Sequence, residues 1–234
     1  YTDSSAVLDG FTITEGRATD PAILGFVNGG GIFCPDHPLT TGATIVNCVI
    51  ADNIATSNGG GVYIWKNNVS FYSCEFIDNN ANEGGAIFIG NQAVGKFTNC
   101  VIRGNKATSF GGGVAVRMAS PRFLNTDISI NLASQNGGGV FVDGASSLYF
   151  SSSSIQGNRA NNNGGGVYAS STATPSLFSV LITGNIDQNQ GGGVYCQDIG
   201  SRATLSNCTL SGNNATEGGG VFQFSSLVRV TNSI

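Results

Sequence analysis

The feature that most constrains this chain is a glycine-rich phrase that returns about every 27 residues. The stretch "NGGGVYIW" at residues 58–65 is one copy of it. Successive copies are separated by 30, 25, 27, 26, 27, 27 and 27 residues. The first glycines of the copies are Gly29, Gly59, Gly84, Gly111, Gly137, Gly164, Gly191 and Gly218. Self-similarity at such a period is the signature of a repeat architecture.

Each copy holds short β-type runs with apolar residues at fixed places, as Phe71, Phe76 and Ile87 show in one copy. Two or three strands in about 27 residues fit one turn of a parallel β-helix, in which equivalent residues stack about 4.8 Å apart. Leucine-rich repeats need a leucine framework and a helical segment, and propeller blades are longer. The sequence therefore predicts an all-β fold, a right-handed parallel β-helix (solenoid) of about eight coils of about 27 residues. Residues 1–234 would form a single domain.

An asparagine recurs with the same period, a few residues before each glycine phrase. We interpret it as a structural ladder, in which side-chain amides at a turn bond to the coils above and below. The ladder residues are Asn53, Asn79, Asn105, Asn131, Asn158, Asn185 and Asn213. The glycines suit a corner that recurs once in each coil, because glycine tolerates unusual backbone conformations and close approach.

One copy carries two recognisable motifs: residues 76–79 read "FIDN" and residues 84–87 read "GGAI". Together they resemble the FxxN and GGA(I/L/V) pair of the polymorphic outer membrane protein repeats, best known from chlamydial surface proteins. Most other copies have relaxed forms, such as "IADN" with "GGGV". Over nearly its whole length the chain is similar to bacterial right-handed β-helix repeat proteins of the secreted and cell-surface kind. The resemblance implies an adhesin, an autotransporter passenger or a surface structure.

Composition argues against several classes of function. A net charge of −4 and a pI of about 4.8 leave no basic surface for nucleic acid. No apolar run approaches the ~18 residues of a membrane-spanning helix. His37 is the single histidine, and it has no second histidine to form a metal centre. No hydrolase, nucleotide-binding or zinc-protease motif is present. We therefore predict no catalytic site and no cofactor, calcium excepted.

A polysaccharide lyase or glycosidase is the enzymatic alternative, since parallel β-helices also carry such activities. Glycosidases need two facing carboxylates. The best acidic cluster is Glu15, Asp52 and Asp78, which lie on three successive coils just before the ladder position. Like charges at strand spacing repel unless a cation or solvent relieves them. These residues are candidate calcium ligands, and the other interpretation is that they are solvated turn carboxylates.

Six cysteines are present, and Cys48, Cys74 and Cys100 share one column. In-register neighbours keep their Cβ atoms about 4.8 Å apart, whereas a disulfide prefers about 3.8 Å. We therefore expect buried free thiols in this column.

An aromatic column follows the core residue after each glycine phrase. Strand alternation turns these side chains outwards if their neighbours point inwards. The column, with one additional tryptophan of the same parity, comprises Phe33, Tyr63, Trp65, Phe88, Phe141, Tyr168, Tyr195 and Phe222. Self-stacking that stiffens the rod, a lateral interface with another chain, and a platform for sugar rings are all consistent with such an external stripe. An interaction role predicts that serine at Tyr168 and Tyr195 spares folding but weakens association.

The sequence begins and ends within a coil, and neither end resembles a solenoid cap. We expect either a segment of a longer protein or a unit that assembles head to tail. The predicted function is a non-catalytic, extracellular or cell-surface structural or adhesive module. Its expected partners are copies of itself, end to end or laterally, and cell-surface glycans or proteins.

Overall fold

The computed structural model describes residues 6–20, 27–36 and 42–234, in which all regular structure is β-strand. The strands form four parallel sheets, named A to D below. Sheet A contains Val7–Asp9, Thr44–Val46, Asn68–Tyr72, Val94–Thr98, Arg122–Leu124, Tyr149–Ser151, Ser176–Phe178, Arg202–Ser206 and Leu227–Thr231. Sheet B contains Thr12–Thr14, Val49–Ala51, Glu75–Ile77, Val101–Arg103, Asp127–Ser129, Ser154–Gln156, Leu181–Thr183 and Thr209–Ser211. Sheet C contains Arg17–Ala18, Ile54–Ala55, Asn80–Glu83, Lys106–Phe110, Leu132–Ala133, Arg159–Ala160 and Ile186–Asp187. Sheet D contains Ile32–Cys34, Val62–Trp65, Ile87–Gly90, Val114–Arg117, Val140–Asp143, Val167–Ala169, Val194–Gln197 and Val221–Phe224.

The chain passes through the four sheets in the same order, A to D, in successive turns, except that the last turn has no strand in sheet C. Each strand pairs in parallel with its equivalent in the next turn, so that Phe71, for example, lies beside Phe97. One turn of the chain is therefore one sequence repeat. The predicted parallel β-helix is confirmed.

The interior is a continuous apolar core, because alternation along each strand sends one set of side chains inwards. Four phenylalanines of sheet A are fully buried and form a column whose ring centroids are 5.0, 4.7 and 4.6 Å apart. They are Phe71, Phe97, Phe123 and Phe150. Aliphatic side chains from the other strands complete the core. Burial of each such side chain contributes about 1.5–3 kcal/mol before conformational entropy is subtracted.

Two kinds of corner turn the chain. Single residues in the left-handed conformation join sheet A to B and sheet B to C, as Asn99 (φ 55°) and Asp78 (φ 52°) do. Asparagine and aspartate adopt this conformation more readily than most residues. The glycine phrase joins sheet C to D. Gly59 has φ 64°, and a Cβ atom there would lie 2.2 Å from the carbonyl oxygen of Val62, so this position requires glycine.

Coil length varies at the corners on either side of sheet D, and most often at the corner between sheets D and A. The chain advances 13 positions from Ile32 to Ile45, but nine from Val62 to Phe71. By contrast, it advances eight positions from Phe71 to Asn79, and the same eight in the other coils. Residues 37–41, which include the single histidine of the sequence, belong to the longest connection from sheet D to sheet A and lie outside the described residues.

The asparagine ladder is present as predicted. Within it, Asn131 Oδ1 accepts hydrogen bonds from the backbone N–H and the Nδ2 group of Asn105, both at 3.0 Å. Its own Nδ2 donates to the Ile102 carbonyl oxygen at 3.0 Å and to Asn158 Oδ1 at 2.9 Å. The pattern recurs from coil to coil, and the ladder amides from Asn53 to Asn185 are buried. The ladder therefore satisfies polar groups that would otherwise be buried without partners.

The cysteines are free, and most of them are buried. Cys74 Sγ donates a weak hydrogen bond to the carbonyl oxygen of Tyr72, and Cys48 makes the equivalent bond in its own coil. Burial raises the pKa of Cys34 to about 11 and that of Cys100 to about 12. Because the thiolate is the reactive form, these side chains act as small core residues. The expectation of buried free thiols is confirmed.

Candidate functional site

The predicted aromatic stripe is a stack of rings beside sheet D, separate from the main core. Along most of the column, consecutive rings lie 5.2–5.4 Å apart, with interplanar angles of 5–12°. Trp65 joins the stack from the neighbouring outward position and lies 6.0 Å from the ring of Tyr63. Offset stacking of this kind adds to the stabilisation that burial alone provides.

Burial of the stack makes the prediction of an exposed aromatic surface wrong for most of the column. Five rings are at most 9% exposed: Tyr63, Phe88, Phe141, Tyr168 and Tyr195. Phe33 is exposed, and Trp65 and Phe222 are half-buried. Rings of neighbouring coils cover one another along the stack, and burial raises the pKa of Tyr168 to about 12. Serine at Tyr168 and Tyr195 would therefore remove buried packing and would not spare the fold.

Phe110 fills a gap in this stack that the sequence pattern leaves at Ala115. It directly precedes a glycine phrase, and its ring stacks on that of Phe141 at 4.8 Å. The guanidinium carbon of Arg117 lies 4.9 Å from the centroid of the Phe141 ring and 5.7 Å from that of Phe110. The sequence signal was an aromatic residue at a place where the other copies have asparagine, glutamate or glutamine.

Arg117 also links three successive coils. Its Nε atom lies 2.7 Å from Glu83 Oε2 in the preceding coil, and its Nη1 atom pairs with Asp143 in the following coil. Although burial raises the pKa of Asp143, hydrogen bonds from Ser171, the Gly144 backbone and Ser170, together with the charge of Arg117, hold it below its ordinary value. These contacts indicate that Glu83, Arg117 and Asp143 form a structural connection between coils.

The predicted calcium ligands Glu15, Asp52 and Asp78 lie at left-handed corner positions on successive coils, and their side chains are exposed. They line a surface groove of about 630 Å³ together with the basic residues Arg17 and Lys106. Within residues 6–20, 27–36 and 42–234, no three His, Cys, Asp or Glu side chains are close enough to hold a metal ion. The carboxylates thus share a groove but do not form a ligand set.

Asp187 is a buried carboxylate at a position where the other described coils have alanine. It is 4% exposed, and its Oδ2 atom has no hydrogen-bond partner. Its Oδ1 atom accepts hydrogen bonds from the backbone N–H groups of Asn189 and Gln190 at 2.6 and 2.8 Å. Burial raises the pKa of Asp187 to about 6, against the effect of these two bonds.

We expect Asp187→Ala to stabilise the protein by about 1–2 kcal/mol at pH 7, because a buried charge is removed at the cost of two hydrogen bonds. Since the folded-state pKa is raised, the stability that the carboxyl contributes is lost as pH rises from about 4 to about 6. The gain from alanine should therefore be largest above pH 6 and vanish near pH 4. Denaturant midpoints measured across this range test the prediction, and Glu75→Ala controls for the loss of one exposed negative charge.

A row of exposed apolar residues lies on a different face, the outer surface of sheet A. Tyr72, Leu124 and Phe178 are 39–43% exposed and occupy one column of that sheet. They alternate with the hydroxyl side chains of Thr98 and Ser151. Sequence reasoning missed this row. The signal available was an apolar residue directly after the buried core residue, in every second coil.

Comparison with known families identifies the architecture. The family described as "Right handed beta helix region" matches residues 3–155 and 138–234. The curated proteins contain no match to this chain. Among the described residues, there is no helix long and apolar enough to cross a membrane. Both the repeated coils and the family match lead to one assignment: the chain belongs to the right-handed β-helix family.

Proposed function

We propose that this protein is a non-catalytic, extracellular or cell-surface β-solenoid with a structural or adhesive role. The observation that carries the proposal is the continuity of three side-chain columns through successive coils: the asparagine ladder, the core phenylalanines and the aromatic stack. Such columns favour a stiff rod. On its outer faces, equivalent side chains recur once in each coil. The likeness of residues 76–79 and 84–87 to polymorphic outer membrane protein repeats supports a place at the cell surface.

Self-association is part of the proposal, end to end or laterally, as in a filament or a surface layer. Parallel sheets extend by pairing of backbone groups along their edges. Head-to-tail contacts of this kind generate open assemblies. Cell-surface glycans and proteins are the other proposed partners.

A polysaccharide lyase or glycosidase is the alternative. The groove that contains Glu15, Asp52 and Asp78 favours it, because carboxylates and the basic residues Arg17 and Lys106 share one concave surface. A carbohydrate-binding module without activity is the intermediate case.

We expect beads coated with the folded protein to resist removal by flow from cell and matrix surfaces, because the rod presents repeated contacts. We also expect no product from acidic or neutral polysaccharides, with or without calcium. Bead counts and assays for reducing ends and unsaturated sugars measure the two expectations, with heat-unfolded protein as the control. Retention equal to that control would refute the adhesive role. Product that disappears in Asp52→Asn/Asp78→Asn would establish the enzyme.

A further inference from the structure

The outer face of sheet A combines its apolar row with two cations. Lys96 and Arg122 are exposed and lie side by side in successive coils, in the column next to the apolar row. Within the described ranges, neither has a carboxylate at ion-pair distance. Arg122 lies over the ring of Tyr149, with its guanidinium carbon 5.7 Å from the ring centroid. From Ser70 to Phe178 the outward side chains of sheet A include no acid, although the whole chain has a net charge of −4.

The spacing of the row is regular. Tyr72, Leu124 and Phe178 are separated by two coils each, which is about 9.6 Å at the usual strand spacing. In an extended β-linked polysaccharide, successive rings are turned over, so that the same ring face returns at every second sugar, at nearly this distance. Aromatic side chains pack well against the apolar face of a ring while their edges stay in water.

From this geometry we propose that the outer face of sheet A binds a linear, β-linked polysaccharide that carries an acidic group on every second sugar. The sugar chain lies along the rod axis, with alternate rings on Tyr72, Leu124 and Phe178. Lys96 and Arg122 hold a carboxylate or sulfate between them. The assignment rests on the proposed adhesive function and names the ligand class for it.

A second copy of this chain fits the face less well. In a symmetric contact centred on this face, Lys96 and Arg122 would lie near the same two cations of the other copy, and like charges across an interface oppose binding. A neutral polysaccharide would use the apolar row and leave both cations without partners. Charge complementarity therefore favours the acidic ligand.

Binding of a fluorescent hyaluronan octasaccharide tests the proposal, because hyaluronan has one carboxylate in every second sugar. Anisotropy titrations at low and physiological salt compare it with a chitin oligosaccharide of equal length and with a polyglutamate peptide. We expect Lys96→Gln/Arg122→Gln to weaken hyaluronan binding about tenfold at low salt. Tyr72→Ser/Phe178→Ser should weaken it at both salt concentrations. Arg103→Gln/Arg159→Gln removes the same charge from other sheets of the rod and should change the affinity less than about twofold.

The outcomes separate the ligand from the function. Equal losses in the two charge variants, tighter binding of polyglutamate, or tighter binding of the neutral oligosaccharide would overturn the assignment. Absence of oligosaccharide binding by protein that still retains beads under flow would reject the ligand and leave the adhesive role standing. Bead retention by the native protein no greater than that of the heat-unfolded control would instead reject the adhesive role on which the assignment rests.

Discussion

Gly60→Ala is expected to destabilise the protein by more than about 3 kcal/mol, beyond the usual cost of overpacking. A Cβ atom at Gly60 would lie 2.3 Å from the carbonyl oxygen of Gly85 and 2.5 Å from that of Asn80, both in the next coil. Backbone atoms cannot move aside without separating the coils. The middle position of the phrase is glycine in all eight copies, as this collision requires.

The neighbouring replacement Gly61→Ala is the matched control. A Cβ atom there meets the Ala86 carbonyl oxygen at 2.9 Å, and Ala86 itself fills the equivalent place in the next coil. We expect a loss of about 1 kcal/mol. Denaturant midpoints followed by circular dichroism measure both variants, and failure of only Gly60→Ala to fold counts in the same direction. Similar losses at the two positions would show that contact between coils does not explain the phrase.

Asn131→Ala should cost about 3–6 kcal/mol, because it leaves several buried polar groups without partners. The backbone N–H of Asn105 loses its acceptor, and the Ile102 carbonyl oxygen loses its donor. Asn158 Oδ1 keeps its bond from the backbone of residue 131 but loses the one from the side chain. The loss is measured as the shift of the unfolding midpoint.

Two variants define what the ladder contributes. Asn131→Asp keeps the acceptor oxygen but loses both amide donor bonds, so it should also be strongly destabilising. Asn125→Ala removes an exposed amide that bonds Asn99 at 2.8 Å, from a left-handed position with φ 49°. Its cost should be about 1 kcal/mol, from the backbone conformation. If Asn131→Ala and Asn125→Ala lowered the stability equally, the hydrogen bonds of the ladder would contribute nothing beyond the conformation of the turn.

The repeat made the fold predictable, because equal spacing of core residues leaves few architectures. The constant eight positions from Phe71 to Asn79 place both residues at the same point of every coil. The ladder followed from the same spacing, since a polar residue repeated among apolar columns needs a partner in the next coil.

The candidate sites were less predictable. The repeat shows which side chains point away from the core, but it does not show which of these are buried by neighbouring side chains. Tyr168 points away from the core, yet its neighbours in the stack bury it. The contacts of Arg117 join residues 34 and 26 positions apart, so they depend on the register between coils. The exposed row that includes Tyr72 was not predicted from the sequence. Its apolar residues alternate with hydroxyl residues, so an aromatic side chain does not recur in every copy.

The variable corner between sheets D and A has a consequence for how this chain can diverge. A residue gained or lost there changes neither the ladder nor the core columns, because the chain still advances eight positions from the sheet A core residue to the ladder position in each coil. Chain length can therefore drift along one edge of the rod while the register between coils is inherited unchanged. A foreign peptide is therefore best inserted at this corner. Copies in successive coils would be displayed one coil apart, and the rest of the protein would not need to be redesigned.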